Sequence, residues 1–129
     1  MTKEELRQAN HLREEISRCD TRILELRERA SSTTQNGKGS RGKSSGPSDR
    51  VGSCAAAIAD LQAKRDAYQA ELDRIEAYIA AVPDRIIRQA LEDRYLHGLH
   101  WRQVAARLGG GNTEAGVKMA CFRWLEKHP

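Results

Sequence analysis

Apolar side chains recur along this chain at alternating intervals of three and four. Over residues 3–30 the series is Ala9, Leu12, Ile16, Cys19, Ile23, Leu26 and Ala30, which predicts one long helix carrying a single apolar stripe. Arg and Glu fill the other faces, and the i,i+4 pairs Glu14–Arg18 and Glu25–Arg29 support an exposed helix. With only a narrow stripe, such a helix needs a partner to bury it. Residues 49–82 repeat the pattern: Val51, Cys54, Ile58, Leu61, Tyr68, Leu72, Ile75, Ile79 and Val82 fit the a and d positions, with Arg65 as the polar intruder. Residues 31–48 hold no large aliphatic or aromatic side chain, so nothing repays ordering entropy and a disordered linker is expected. Ser48 is placed to cap the second helix and Asp49 to complement its dipole. A flexible linker of this length reaches roughly 20–25 Å, enough for the two helices to fold back as an antiparallel hairpin. An intermolecular coiled coil is the alternative, and Arg65 helps set register or oligomer state in either arrangement.

Pro83 interrupts the second long helix, and with Asp84 it suits the first turn of a new one. Residues 83–97 then place Ile86, Ile87, Ala90, Leu91 and Tyr95 on one stripe, and Gly98 ends it. A short helix follows, with Trp101, Val104, Ala105 and Leu108 at i, i+3, i+4 and i+7 and Gly109 in the C-cap position. His100 is its N-cap, a poor residue for that role. After Asn112 and Thr113 a last helix carries Val117, Ala120, Cys121, Trp124 and Leu125 on one side. Two short helices joined by a glycine turn and braced by a third make a helix-turn-helix. The expected protein is therefore all-α: residues 1–82 as a helical hairpin or coiled coil, residues 83–129 as a helix-turn-helix module.

Composition narrows the field. Aromatic residues are only 5% and charged residues 31% of 129 positions, which suits long surface-rich helices better than a large globular core. No apolar run approaches a membrane span, and the N-terminus has no signal-peptide pattern. Three scattered cysteines, Cys19, Cys54 and Cys121, read as buried reduced thiols of a cytoplasmic protein. Net charge is +4. The basic excess falls in residues 31–48, with three basic and no acidic groups, and in residues 83–129, with eight against five. A polyanion would prefer those two segments.

The run Leu91-x-x-Arg94-Tyr95-Leu96-x-Gly98-Leu99-x-Trp101-x-x-Val104-Ala105-x-x-Leu108-Gly109 resembles the DNA-binding region 4 of bacterial sigma factors. With a long heptad segment and a Ser/Gly-rich break ahead of it, the whole chain resembles small phage-encoded regulators of the RinA/ArpU type. The resemblance implies a DNA-binding activator of late phage transcription. In two respects the chain departs from the sigma pattern. Its turn, Gly109-Gly110-Gly111-Asn112-Thr113-Glu114, is about two residues longer, and Gly116 sits in the first turn of the recognition helix, where it costs up to about 1 kcal/mol against Ala. Close approach to a phosphate or a neighbouring helix would account for that glycine.

With Val117, Ala120 or Cys121, and Trp124 facing inward, the opposite face presents Glu114, Ala115, Lys118, Met119, Phe122 and Arg123. Ala115, Lys118 and Met119 are the candidates for base edges, because a recognition helix reads from its N-terminal half. Asn112 and Thr113 are candidates for a phosphate at the helix start. Arg102, Arg107 and Arg123 would flank the groove as phosphate ligands, and the linker cations Lys38, Arg41 and Lys43 would add unspecific attraction. Trp101 and Trp124 fall in apolar stripes and are expected in the core rather than as stacking platforms.

No enzyme constellation emerges and no cofactor is implied. His97, His100, Cys121 and His128 lack the paired spacing of a zinc site, and the glycine run has neither a preceding strand nor a lysine for a phosphate loop. The expected function is sequence-specific duplex DNA binding in transcription regulation, with the coiled coil setting oligomer state or contacting RNA polymerase. Two alternatives stand beside it: a small terminase-like DNA-packaging subunit, and an adaptor that binds RNA polymerase without touching DNA. The packaging subunits place their DNA module first, whereas here it is last.

Overall fold

In the computed structural model, residues 1–35 and 46–129 are described, with side chains described for residues 1–31 and 52–129. Every regular element among them is helical. α1 spans Lys3–Gln35 and α2 Gly46–Ala80; α3 (Arg85–Leu91) runs into a π-helical turn over Glu92–Leu96, followed by α4 (Trp101–Leu108) and α5 (Glu114–Lys127). None of the helices is long and apolar enough among the described residues to cross a membrane. Both long helices extend beyond their expected ends, α1 through 31–35 and α2 from Gly46, so Ser48 lies inside a helix instead of capping one. What is left of the expected linker, including Lys38, Arg41 and Lys43, lies outside the described residues.

The chain divides into two compact units. One holds Met1–Arg13 with Ala70–Pro129, the other Glu14–Gln69. α1 and α2 contribute to both. In the second unit Ile16, Cys19, Ile23, Leu26 and Cys54 are buried. Ile58, Leu61, Arg65 and Tyr68, the next seam positions of α2, are half-buried. Arg65 does not break this seam, because its guanidinium pairs with Asp20 of α1.

The first unit carries the larger core. α1 enters it through a reciprocal cap: Thr2 Oγ1 accepts from the Glu5 N–H at 3.2 Å, and Glu5 Oε2 accepts from the Thr2 N–H at 3.1 Å. Leu6, three residues ahead of the expected seam, is fully buried with Ala9. Leu72, Ile75, Ile79 and Val82 of the α2 end are buried as well. Asp84, not Pro83, starts α3: its carboxylate accepts from the N–H groups of Ile86 (2.9 Å) and Ile87 (3.1 Å). Arg88 Nη1 reaches back to the Val82 carbonyl at 2.9 Å, satisfying an acceptor at the helix break.

Ile87, Ala90, Leu91 and Tyr95 are buried as the stripe predicts, but Ile86 is 52% exposed. Two consecutive residues on a helix point about 100° apart, and only Ile87 meets the neighbouring helices. On α5 the buried set is Val117, Cys121 and Leu125 at i, i+4 and i+8, while Ala120 is exposed and Trp124 half-buried. Trp101 is buried, edge-on to Tyr95 at 6.2 Å and to Phe122 at 5.9 Å. Trp124 is instead tied to α2 and the C-terminal end, edge-on to Tyr78 at 6.0 Å and stacked on His128 at 4.2 Å. The Tyr78 hydroxyl donates to the His128 carbonyl at 2.9 Å.

Burial pushes the Cys121 thiol up from its ordinary 9.0 to about 12, with the Asp84 carboxylate adding to the effect. Burial likewise raises the Tyr95 and Tyr78 hydroxyls. A folded-state value above the unfolded one means stability that is whole below pH 9 and is lost as pH rises toward about 12. Thermal melts of the full chain at stepped pH should therefore fall above pH 9, and Cys121→Ala should show a shallower fall from its own lower starting point; identical pH slopes would contradict the assignment. Trp101→Ala should cost about 3–5 kcal/mol, read as loss or collapse of the first unit's melting transition. An unchanged melt would remove Trp101 from the core.

Candidate nucleic-acid interface

The segment from the π-turn to the end of α5 is shaped by a series of local constraints. His97 N–H donates to the Glu92 carbonyl and Leu99 N–H to the Asp93 carbonyl, both at 3.0 Å, so the helix widens before it stops. Gly98, at φ +70°, makes the reversal, with the Asn10 side chain of α1 3.5 Å from where a Cβ would stand. Arg94 Nη1 donates to the Leu99 carbonyl at 3.0 Å, and its guanidinium lies 5.4 Å from the Trp101 ring. Arg94 is therefore an internal clasp across the α3–α4 connection. His100 stands at the N-cap of α4, where its own N–H donates to Gln103 Oε1 at 2.9 Å, the returning half of a capping box.

The long turn is ordered by its composition. Gly109, Gly110 and Gly111 all have positive φ (64°, 61° and 79°), a region that costs other residues about 1–2 kcal/mol each. Asn112 closes the turn, donating to the Gly109 carbonyl from both its backbone N–H (3.1 Å) and its side-chain Nδ2 (2.7 Å). Thr113 then caps α5, its hydroxyl accepting from the Gly116 N–H at 3.0 Å. A Cβ on Gly116 would stand 2.9 Å from that hydroxyl oxygen. Gly116 thus makes room for the N-cap itself, and neither a phosphate nor a neighbouring helix is needed to explain it.

Of the ten residues expected at the interface, Arg102, Glu114, Ala115, Lys118, Met119 and Arg123 are exposed. Met119 stands 48% exposed, unusual for a large apolar side chain. The other four make contacts within the chain. Asn112 spends its donors inside the turn, so its N–H is not free for a phosphate; Thr113 is exposed, but its hydroxyl serves the cap. Arg107 is exposed yet faces inward at its Nε, 3.3 Å from Asp93 Oδ2. Phe122 is half-buried, edge-on to Trp101 and covered by the Lys3 ammonium 4.4 Å above its ring. Lys118 approaches the same ring at 5.8 Å. These are packing and cation–π contacts, so Phe122 supports the surface instead of reaching out from it.

Lys3 and Asp93 are the residues that reading the sequence alone missed. The Thr2-x-x-Glu5 capping pattern marks where α1 begins, but no local signal brings Lys3 beside Phe122. Among the described residues no three His, Cys, Asp or Glu side chains gather as a metal site. Matched against known protein families, curated proteins and solved structures, the chain gives no significant match.

Glycine is the poorest helix former apart from proline, so Gly116→Ala would ordinarily gain up to about 1 kcal/mol. Here the methyl displaces the Thr113 cap, whose loss costs about 1 kcal/mol, and no net gain is expected. In a Thr113→Ala background the same substitution should be stabilising. Denaturant melts of the four variants measure the coupling; simple additivity would contradict the geometry.

Proposed function

We propose that the chain is a sequence-specific duplex DNA-binding protein of transcription regulation. In this reading α4 and α5 act as a helix-turn-helix of the sigma region 4 kind, and α1 with α2 as an antiparallel coiled coil. The observation that carries the reading is the division of α5 into two faces. Val117, Cys121 and Leu125 are buried, while Glu114, Ala115, Lys118 and Met119, all in its N-terminal half, face solvent. An exposed methionine next to an exposed lysine on the leading turns of a helix suits a groove whose edges offer both apolar and acceptor groups.

Each side chain has a chemical role there. Lys118 donates to guanine O6 and N7, Ala115 and Met119 meet a thymine methyl, and Glu114 accepts from a cytosine amino group. Arg102 and Arg123, exposed and without an ion pair among the described residues, bind phosphates on either side. The module's basic excess steers it toward the polyanion. As a phage late-gene activator, the protein would use its paired long helices to set oligomer state or to meet RNA polymerase.

Affinity for duplex DNA is expected to fall linearly in log–log form with salt, by about 0.9 units of slope per phosphate neutralised. Lys118→Ala should weaken binding to the preferred sequence by about 1–3 kcal/mol and relax preference at one position. Fluorescence anisotropy with labelled duplexes measures both. A chain that binds no duplex at low salt contradicts the reading, and an unchanged preference in Lys118→Ala contradicts the role given to that lysine.

A further inference from the structure

Asp93 is the one charged residue buried among the described residues, 3% exposed in the π-turn between α3 and α4. Its Oδ2 lies 3.3 Å from Arg107 Nε, yet accepts no aligned hydrogen bond among the described residues. Burying a carboxylate costs several kcal/mol unless it is paired and hydrogen-bonded. A well-packed apolar residue would serve a core better, so a stability role does not account for it. Arg107, by contrast, keeps 59% of its side chain exposed. A guanidinium has five donors in a planar fork; with Nε turned to Asp93, the terminal Nη groups are the ones left for solvent.

Resting on the DNA-binding reading, we infer that Asp93 is a positioning residue: it holds Arg107 by its inner edge so that the outer edge takes a backbone phosphate of duplex DNA. Three observations converge on this. The buried carboxylate faces the Nε edge of the guanidinium, so it restrains the side chain from one side of the fork. Arg107 lies in the last turn of α4, just before the Gly109–Gly111 turn that leads into α5, which puts the held cation at the entrance to the proposed recognition helix. The incomplete hydrogen bonding of Oδ2 also leaves room for the pair to tighten when a phosphate draws the guanidinium plane into line.

The gain is entropic. A long arginine side chain loses rotamer freedom when fixed, and a side chain already fixed binds a phosphate without that loss. The effect has an opposite sign from simple electrostatics. Removing a negative charge near a polyanion site should strengthen DNA binding, whereas loss of positioning should weaken it.

The test is anisotropy of the full chain on a 20-base-pair mixed-sequence duplex across a salt series, with parallel thermal melts. The expected result is that Asp93→Asn weakens binding about three- to tenfold and Arg107→Ala weakens it further, with its salt slope reduced by about 1. In the Arg107→Ala background, Asp93→Asn should change nothing more. Arg107→Lys keeps the charge but lacks the fork that bridges two oxyanions, and should bind nearly as poorly as Arg107→Ala; it serves where Asp93→Asn fails to fold. Equal or tighter binding by folded Asp93→Asn, or Arg107→Lys equal to the parent, overturns the positioning role while leaving DNA binding intact. A parent chain without salt-dependent duplex affinity overturns both, so the two failures are told apart by the parent curve alone.

Discussion

The arrangement of the C-terminal half depends on one packing event: the face of α5 formed by Val117, Cys121 and Leu125 is buried against α3 and α4. Val117 and Leu125 each contribute about 1.5–3 kcal/mol when removed from water, and the same burial fixes the rotation of α5 about its axis. Everything on the other face follows from that rotation. Lys118 and Met119 are outside because Val117 and Cys121 are inside. Trp101 anchors the assembly, since its indole meets Tyr95 in the π-helical turn and Phe122 on α5. A surface built this way is stiff at its base, which is what the proposed reading of base edges would need.

Periodicity made much of this legible. The seams of α1 and α2, the helix break at Pro83 and the glycine stops at Gly98 and Gly109 all follow from short-range chemistry: spacing of apolar residues, a missing N–H, a positive φ. Other features depend on neighbours distant in sequence. Ile86 and Ile87 look equivalent on paper, and only the approach of other helices leaves one outside and buries the other. Phe122 fits an exposed face by spacing, but Lys3, more than a hundred residues earlier, covers its ring. Gly116 reads as a helix defect until the Thr113 hydroxyl beside it is seen. α1 runs on to Gln35 and α2 begins at Gly46, although a polar sequence without a seam gives no reason to order, because continuation of an existing helix is easier than nucleation.

The long glycine turn illustrates how a local departure is absorbed. Three positive-φ glycines carry the chain through a conformation that side chains resist, and Asn112 ties the loop back onto the Gly109 carbonyl. Thr113 then begins α5 at a defined point. The extra residues lengthen the connection without loosening the start of the helix. The electrostatics are similarly organised from the inside out: Arg94 is consumed by the α3–α4 connection and Arg107 is held at one edge, whereas Arg102 and Arg123 extend from the surface.

The central claim is that the outward face of α5 reads base sequence. Selection of bound duplexes from a random pool by the full chain tests it most directly. Enrichment of a short common motif, with defined preference at several adjacent positions, is the predicted result. A retained pool as random as the starting one, or no retention at all, would contradict it.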